Sequence, residues 1–225
     1  MYRQAIPGAG DTGVASVLFI VGSAVSAVLL ALLVLTMLFP QLRIWPTPGP
    51  GSWQSYLFWP LFRGLNVLCF ATALAADHAS PLGLPLWLRG LAAALLVASL
   101  ALFIYSFRVL GRDNSYGAQQ GLVTRGIYRW TRNPQNAMLV VVYASLAVAV
   151  DSAPAYVLCA AMMAVYVIMV LLEEPWLEGV YGVAYRRYCA RVPRFFNWRR
   201  LALTCARRGP LRAQTRQSVV KDPAA

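Results

Sequence analysis

The sequence predicts an all-α, polytopic membrane protein. About five transmembrane helices are expected, the last two forming a C-terminal hairpin that runs into a cytosolic amphipathic helix. Three observations predict this. The 225-residue chain is 59% hydrophobic and only 12% charged. Its apolar residues fall in long uncharged runs, the first from Val14 to Phe39. Its charges, net +12 at pH 7, gather in the loops beside those runs. A basic balance of this size could suggest nucleic acid, but its placement beside spans argues against that partner. Cys69, Cys159, Cys189 and Cys205 show no CxxC pair, so reduced thiols are expected without a disulfide frame. A single histidine, His78, and the cysteine spacing leave no metal site.

The elements follow in order. Gly8–Gly13 matches G-x-G-x-x-G letter for letter, but no strand precedes it and a span follows, so the match is a decoy. Val14–Phe39 is long enough to cross the roughly 30 Å hydrocarbon core with some tilt, and too long for a signal-peptide core. Pro40–Trp53 is a Pro/Gly-rich loop whose Trp45 and Trp53 suit the membrane interface. A second span, from about Gln54 to Ala76, is interrupted by Arg63 and Asn66, which share one helical face. Arg63 admits two readings, a guanidinium that snorkels toward the head groups, or one that faces the bundle interior with Asn66, where both are expected to contact the substrate. After the turn Asp77–Pro85, a third span runs from about Leu86 to Phe107.

The next segment, Gly121–Asn136 (GLVTRGIYRWTRNPQN), is polar and lies wedged between apolar runs. Polar backbone at a membrane boundary must be satisfied by protein, ligand or water, so this segment reads as a site. Two apolar arms, Ala137–Val150 and Ala155–Leu172, are joined by four residues, which favours an antiparallel helical hairpin. Glu173-Glu174-Pro175 closes the hairpin on the side of Gly121–Asn136. From Pro175 to Arg191, Leu177, Tyr181, Tyr185 and Tyr188 share one face of an amphipathic helix, with Pro175 suited to its first turn. A basic, polar tail follows Asn197 and suits anionic membrane lipids, as do Arg125 and Arg129. The chain thus divides into 1–112, a three-span membrane region; 113–198, a core with the hairpin and a cofactor site; and 199–225, the tail. Seventeen of its twenty basic residues fall on the C-terminal side of a five-span topology. The positive-inside rule then puts the C-terminus and the site in the cytoplasm, and richness in Gly, Ala and Arg suggests a bacterial inner membrane.

Residues Leu122, Thr124, Gly126 and Tyr128, Arg132-Asn133-Pro134, Glu173-Glu174, and then Leu177, Gly182, Tyr185, Tyr188 and Val192-Pro193-Arg194 resemble, in order and spacing, the isoprenylcysteine carboxyl methyltransferase and phospholipid methyltransferase family. The resemblance covers Gly121–Phe196, about a third of the chain. That family usually reads Arg-His-Pro-x-Tyr, whereas this chain has Asn133 and Asn136 at those places. Asparagine keeps a hydrogen bond but cannot titrate near neutrality, so a positioning role survives and an acid–base one does not.

The resemblance implies an enzyme using S-adenosylmethionine without a Rossmann domain. It implies a cofactor site of Thr124, Gly126, Tyr128, Arg132, Asn133, Pro134, Asn136, Glu173, Glu174, Tyr185 and Tyr188, with Arg132 and Glu173 as the catalytic pair. Arg132 would face the donor carboxylate, a glutamate its amine or hydroxyls, and the tyrosine faces its sulfonium. Arg194 joins Arg63 and Asn66 as a candidate for the acceptor. The acceptor would be a lipid or other apolar molecule bearing a carboxylate, amine or thiol. Two other functions compete: a membrane reductase of the sterol-reductase type, which has a similar ending and uses NADPH, and a non-catalytic membrane protein. Arg132 with Glu173 also admits a purely structural reading, as an ion pair holding helices together.

Overall fold

The computed structural model describes residues 9–75, 80–111 and 121–195. The expected turn at Asp77 and His78, Arg112, and the basic tail with Cys205 lie outside them. The regular structure among the described residues is helical, with no strand among them: α1 (Ala9–Leu38), α2 (Trp53–Ala75), α3 (Leu86–Leu110), a 3-10 turn (Gly126–Arg129), α4 (Pro134–Val150) and α5 (Ala153–Arg191). Four of the five α-helices hold stretches long and apolar enough to cross a membrane, and α4 is shorter. Its 17 residues rise about 25 Å, and it gains its length by starting at Pro134, within the polar segment. Pro134 suits that place because its fixed φ and missing N–H are harmless in a first turn. Ala9–Gly13, before Val14, opens α1.

The apolar part of α5 is the centre of the bundle. Leu158, Met162 and Val165 are fully buried against Leu29 and Leu33 of α1, Phe58 and Leu65 of α2, and Tyr143 of α4. The approach of α1 to α5 is close: a methyl group at Gly22 would lie 2.8 Å from Leu158 Cδ1. The outward faces stay apolar, as lipid demands, with Leu74, Leu86 and Val97 exposed. α3 packs along α4 and touches the 3-10 turn, while α2 lies on α1 and α5. A space is left between α2 and α3.

The expected break at Pro175 is absent. α5 continues through it and departs from helical geometry seven residues later, at Gly182, with φ 52° and ψ −124°. A glycine meets that backbone without the Cβ clash that other residues suffer. Gly126, with φ 60°, is fixed twice over, because an added Cβ would also sit 3.2 Å from Val109 of α3.

At the far end of the bundle the α4–α5 turn is pinned by charge. Asp151 takes the left-handed conformation that aspartate tolerates, and its carboxylate accepts from the Leu84 N–H (3.0 Å) and the Tyr156 hydroxyl (2.9 Å). Arg89 of α3 donates to the last carbonyls of α4, Ala149 O at 2.9 Å and Val150 O at 3.1 Å. Burial acts to raise the pKa of Asp151, but the hydrogen bonds it accepts outweigh that and hold it below the usual carboxylate value. A depressed folded pKa contributes stability above the unfolded value and loses it as pH falls through the folded one. Asp151→Asn is therefore expected to melt earlier than the parent at pH 7, with the gap closing as pH falls below about 4. A gap that persists unchanged to pH 3 would show that Asp151 is not held ionised.

Candidate active site

The polar segment before α4 is tied to the end of α5 by a buried network. Glu174 is its hub. Arg132 donates to Glu174 Oε1 through Nε (3.2 Å) and Nη2 (3.0 Å), and Asn133 Nδ2 donates to the same oxygen at 3.2 Å. Arg194 reaches Oε2 through Nε (2.9 Å) and Nη2 (2.7 Å). The other guanidinium nitrogen of Arg132, Nη1, donates to the carbonyls of Cys189 and Val192, both at 3.2 Å. These are the carbonyls left open where α5 ends, so Arg132 caps that helix with a favourable charge. Thr131 Oγ1 donates to Arg194 O at 3.1 Å, the Arg132 N–H donates to Pro193 O at 3.0 Å, and the Tyr188 hydroxyl donates to Tyr128 O at 2.7 Å. Val-Pro-Arg and Arg-Asn-Pro are thus two halves of one clasp.

Arg132 pairs with Glu174 and not with Glu173. Adjacent residues on a helix point about 100° apart. Glu174 turns toward the clasp, and Glu173 turns into a cavity of about 580 Å³. The cavity has two unlike ends. At one end Glu173 is joined by Tyr128, Gln135, Asn136, Tyr185 and Tyr188, with Arg132 and Asn133 reaching in from the clasp. The other end runs between α2 and α3, where Phe62, Arg63, Asn66 and Phe70 face Leu100, Phe103 and Phe107. Among the expected site residues, Thr124, Gly126, Pro134, Glu174 and Arg194 do not line the cavity. Thr124 and Gly126 are exposed, and Gly126 works in the turn against α3.

Asn66 sits at the inner wall with most of its hydrogen bonds already made. Its Oδ1 accepts from the hydroxyls of Tyr143 and Tyr166, and its Nδ2 donates to Phe62 O at 2.7 Å. Buried polar groups inside a span are satisfied in this way or not tolerated. The trio fixes the rotation of α2 against α4 and α5.

Trp45, expected at the interface, is instead only 6% exposed and lines the cavity, while Trp53 is 57% exposed. The α1–α2 loop is held inward by the Ile44 N–H bond to Thr36 Oγ1 (3.3 Å), the Gln54 Nε2 bond to Leu42 O (3.2 Å), and Arg43 over the Trp176 ring (5.7 Å). Trp45 stacks on Phe58 at 4.9 Å. Its indole N–H approaches Glu173 without closing a well-formed hydrogen bond, and is left as a buried donor at the cavity wall. The described residues contain no group of three or more His, Cys, Asp or Glu side chains able to hold a metal ion.

Residues 87–184 match the phospholipid methyltransferase family. No curated protein and no solved structure shows significant similarity to the chain. The matched stretch takes in α3, the 3-10 turn, α4 and most of α5. It includes Arg132, Asn133, Glu173 and Glu174, and stops short of Tyr185, Tyr188 and Arg194.

Proposed function

We propose, from a chain that carries a phospholipid methyltransferase domain at residues 87–184, that it is an integral membrane enzyme transferring a methyl group from S-adenosylmethionine to an apolar acceptor. The observation that carries this reading is a two-ended cavity, polar and aromatic beside Glu173 and apolar between α2 and α3. A charged donor suits the first end and a bilayer-soluble acceptor the second. The volume lies in the range of small-molecule sites.

The residues fit the donor. It bears an ammonium, hydroxyls, a carboxylate and a sulfonium. Glu173 offers an anion for the ammonium or the hydroxyls. The buried Trp45 N–H is a donor in want of an acceptor, and Asn136 can serve polar edges. Tyr128, Tyr185 and Tyr188 supply electron-rich rings for a cation. When bound, the donor supplies an electrophilic methyl group. The chain's own share is alignment and exclusion of water: the clasp holds Tyr128, Tyr185 and Tyr188 in one wall, and the aromatic ring around Trp45 dries the other. With asparagine at 133 and no histidine among the described residues that line the cavity, the acceptor either arrives already nucleophilic or loses its proton to Glu173 or water.

The matched family is one of methyltransferases and gives no support to the reductase reading. We place the Glu173 end of the bundle in the cytoplasm of a bacterial inner membrane, on the arginine distribution. One experiment tests donor and orientation together. Radiolabelled S-adenosylmethionine should bind inside-out membrane vesicles containing the protein and not sealed right-side-out ones, and NADPH should not compete. Binding only to right-side-out vesicles would reverse the orientation. Displacement by NADPH would replace the donor.

A further inference from the structure

Arg63 is, among the described residues, the charge that lies well inside an apolar span with no opposite charge paired to it. Ten residues after the start of α2, it lies about 15 Å along the helix, inside the apolar span. None of the ion pairs among the described residues includes it. Its guanidinium leans back one turn over the Trp59 ring, 5.2 Å from the centroid, which offsets part of the cost of a charge in lipid. The side chain is exposed on the bundle surface and lines the cavity at the same time. Val67, one turn further on, is also both exposed and cavity-lining. Arg63 therefore stands where the cavity opens between α2 and α3 toward the bilayer.

We propose that Arg63 binds an oxyanion on the head group of the acceptor, which enters between α2 and α3 with its hydrocarbon chain left among Phe70, Leu100 and Phe103. This rests on the methyltransferase reading for the word acceptor. The charge logic rests on the cavity alone. A lone cation at this depth is costly, and an entering oxyanion removes the penalty on both partners by a charge-assisted, bidentate contact. Asn66, one turn away, has little hydrogen-bonding capacity to spare, so the guanidinium is the group left to recognise the ligand. Counted along the antiparallel helices, Arg63 lies about one turn from the level of Glu173, because Asn66 meets Tyr166, seven residues separate Tyr166 from Glu173, and Arg63 stands three residues before Asn66. The oxyanion is thus held a head-group length from the donor end, on a different atom from the one that is methylated.

The test uses the purified full chain in neutral maltoside micelles and three probes: radiolabelled dodecyl phosphate, dodecanol and inorganic phosphate. Dodecyl phosphate should bind saturably, with neither dodecanol nor inorganic phosphate competing at equal concentration. Arg63→Gln should weaken that binding about tenfold or more, and Arg63→Lys should restore most of it. The affinity for S-adenosylmethionine should be the same in all three proteins. Unchanged dodecyl phosphate binding in Arg63→Gln would overturn the proposal, as would equal competition by inorganic phosphate or a parallel loss of S-adenosylmethionine binding. A parent that binds dodecyl phosphate through Arg63 but not S-adenosylmethionine would sink the methyltransferase reading and leave the oxyanion site standing.

Discussion

Glu174→Ala is expected to destabilise the protein by about 3–5 kcal/mol, the usual cost of removing one partner from a buried, hydrogen-bonded charge network. Three side chains converge on this carboxylate: Arg132, Asn133 and Arg194. The Arg132 and Glu174 side chains are 11% and 9% exposed, so alanine would strand a guanidinium with little water to turn to. Burial acts against the charged form of Glu174, and the two arginines reverse that; without the carboxylate Arg132 has only main-chain carbonyls left. A control comes from the same helix. Arg186 and Glu178 are paired at 3.3 Å but are 58% and 50% exposed, so Glu178→Ala should cost less than about 1 kcal/mol. Thermal unfolding of both variants in detergent decides the matter. Comparable losses in the two would mean that the clasp at Glu174 carries no special share of stability. Arg132→Ala belongs with Glu174→Ala, and its effect on donor binding would arrive mixed with unfolding.

The number and order of the helices were legible because lipid imposes a simple code: an apolar run of spanning length is a helix, and arginine marks its ends. The meeting of Gly121–Asn136 with Glu173-Glu174 was legible too, since a four-residue joint leaves the hairpin little freedom. The partner of Arg132 was not. Glu173 and Glu174 are chemically identical neighbours, and which one faces the clasp depends on the rotation of α5. That rotation is set by packing at Leu158, Met162 and Val165, far up the helix. Pro175 misled for a related reason. A proline starts a helix readily, but one within a long, well-packed helix can be carried through when neighbouring groups satisfy the backbone it frees. The break moved to Gly182, where φ is positive and only the backbone's needs decide. Trp45 was read from composition as an interfacial residue. Its inward turn depends on Thr36, Gln54 and Trp176, contacts that no local pattern announces. Asn66 was legible as polar in a span, yet its partners Tyr143 and Tyr166 are 77 and 100 residues away.

Glu173→Gln should separate function from fold. Glutamine keeps the shape of the side chain and removes its charge. Glu173 takes part in none of the ion pairs among the described residues, and it sits next to a second carboxylate on the same helix. Loss of its charge should therefore leave the clasp intact, and relief of repulsion from Glu174 should hold or raise the melting temperature. Donor binding should move the other way. If Glu173 meets the donor's ammonium or hydroxyls in a largely dry cavity, removal of the charge should cost about 2 kcal/mol or more, roughly a 30-fold rise in the Kd for S-adenosylmethionine. Dodecyl phosphate binding at Arg63 should be unaffected. Equilibrium dialysis with each ligand, set beside a thermal melt, reads all three quantities on one preparation. An unchanged Kd in a stable Glu173→Gln protein would remove Glu173 from the donor site, and the cation of the donor would then have to rest on the rings of Tyr128, Tyr185 and Tyr188 alone.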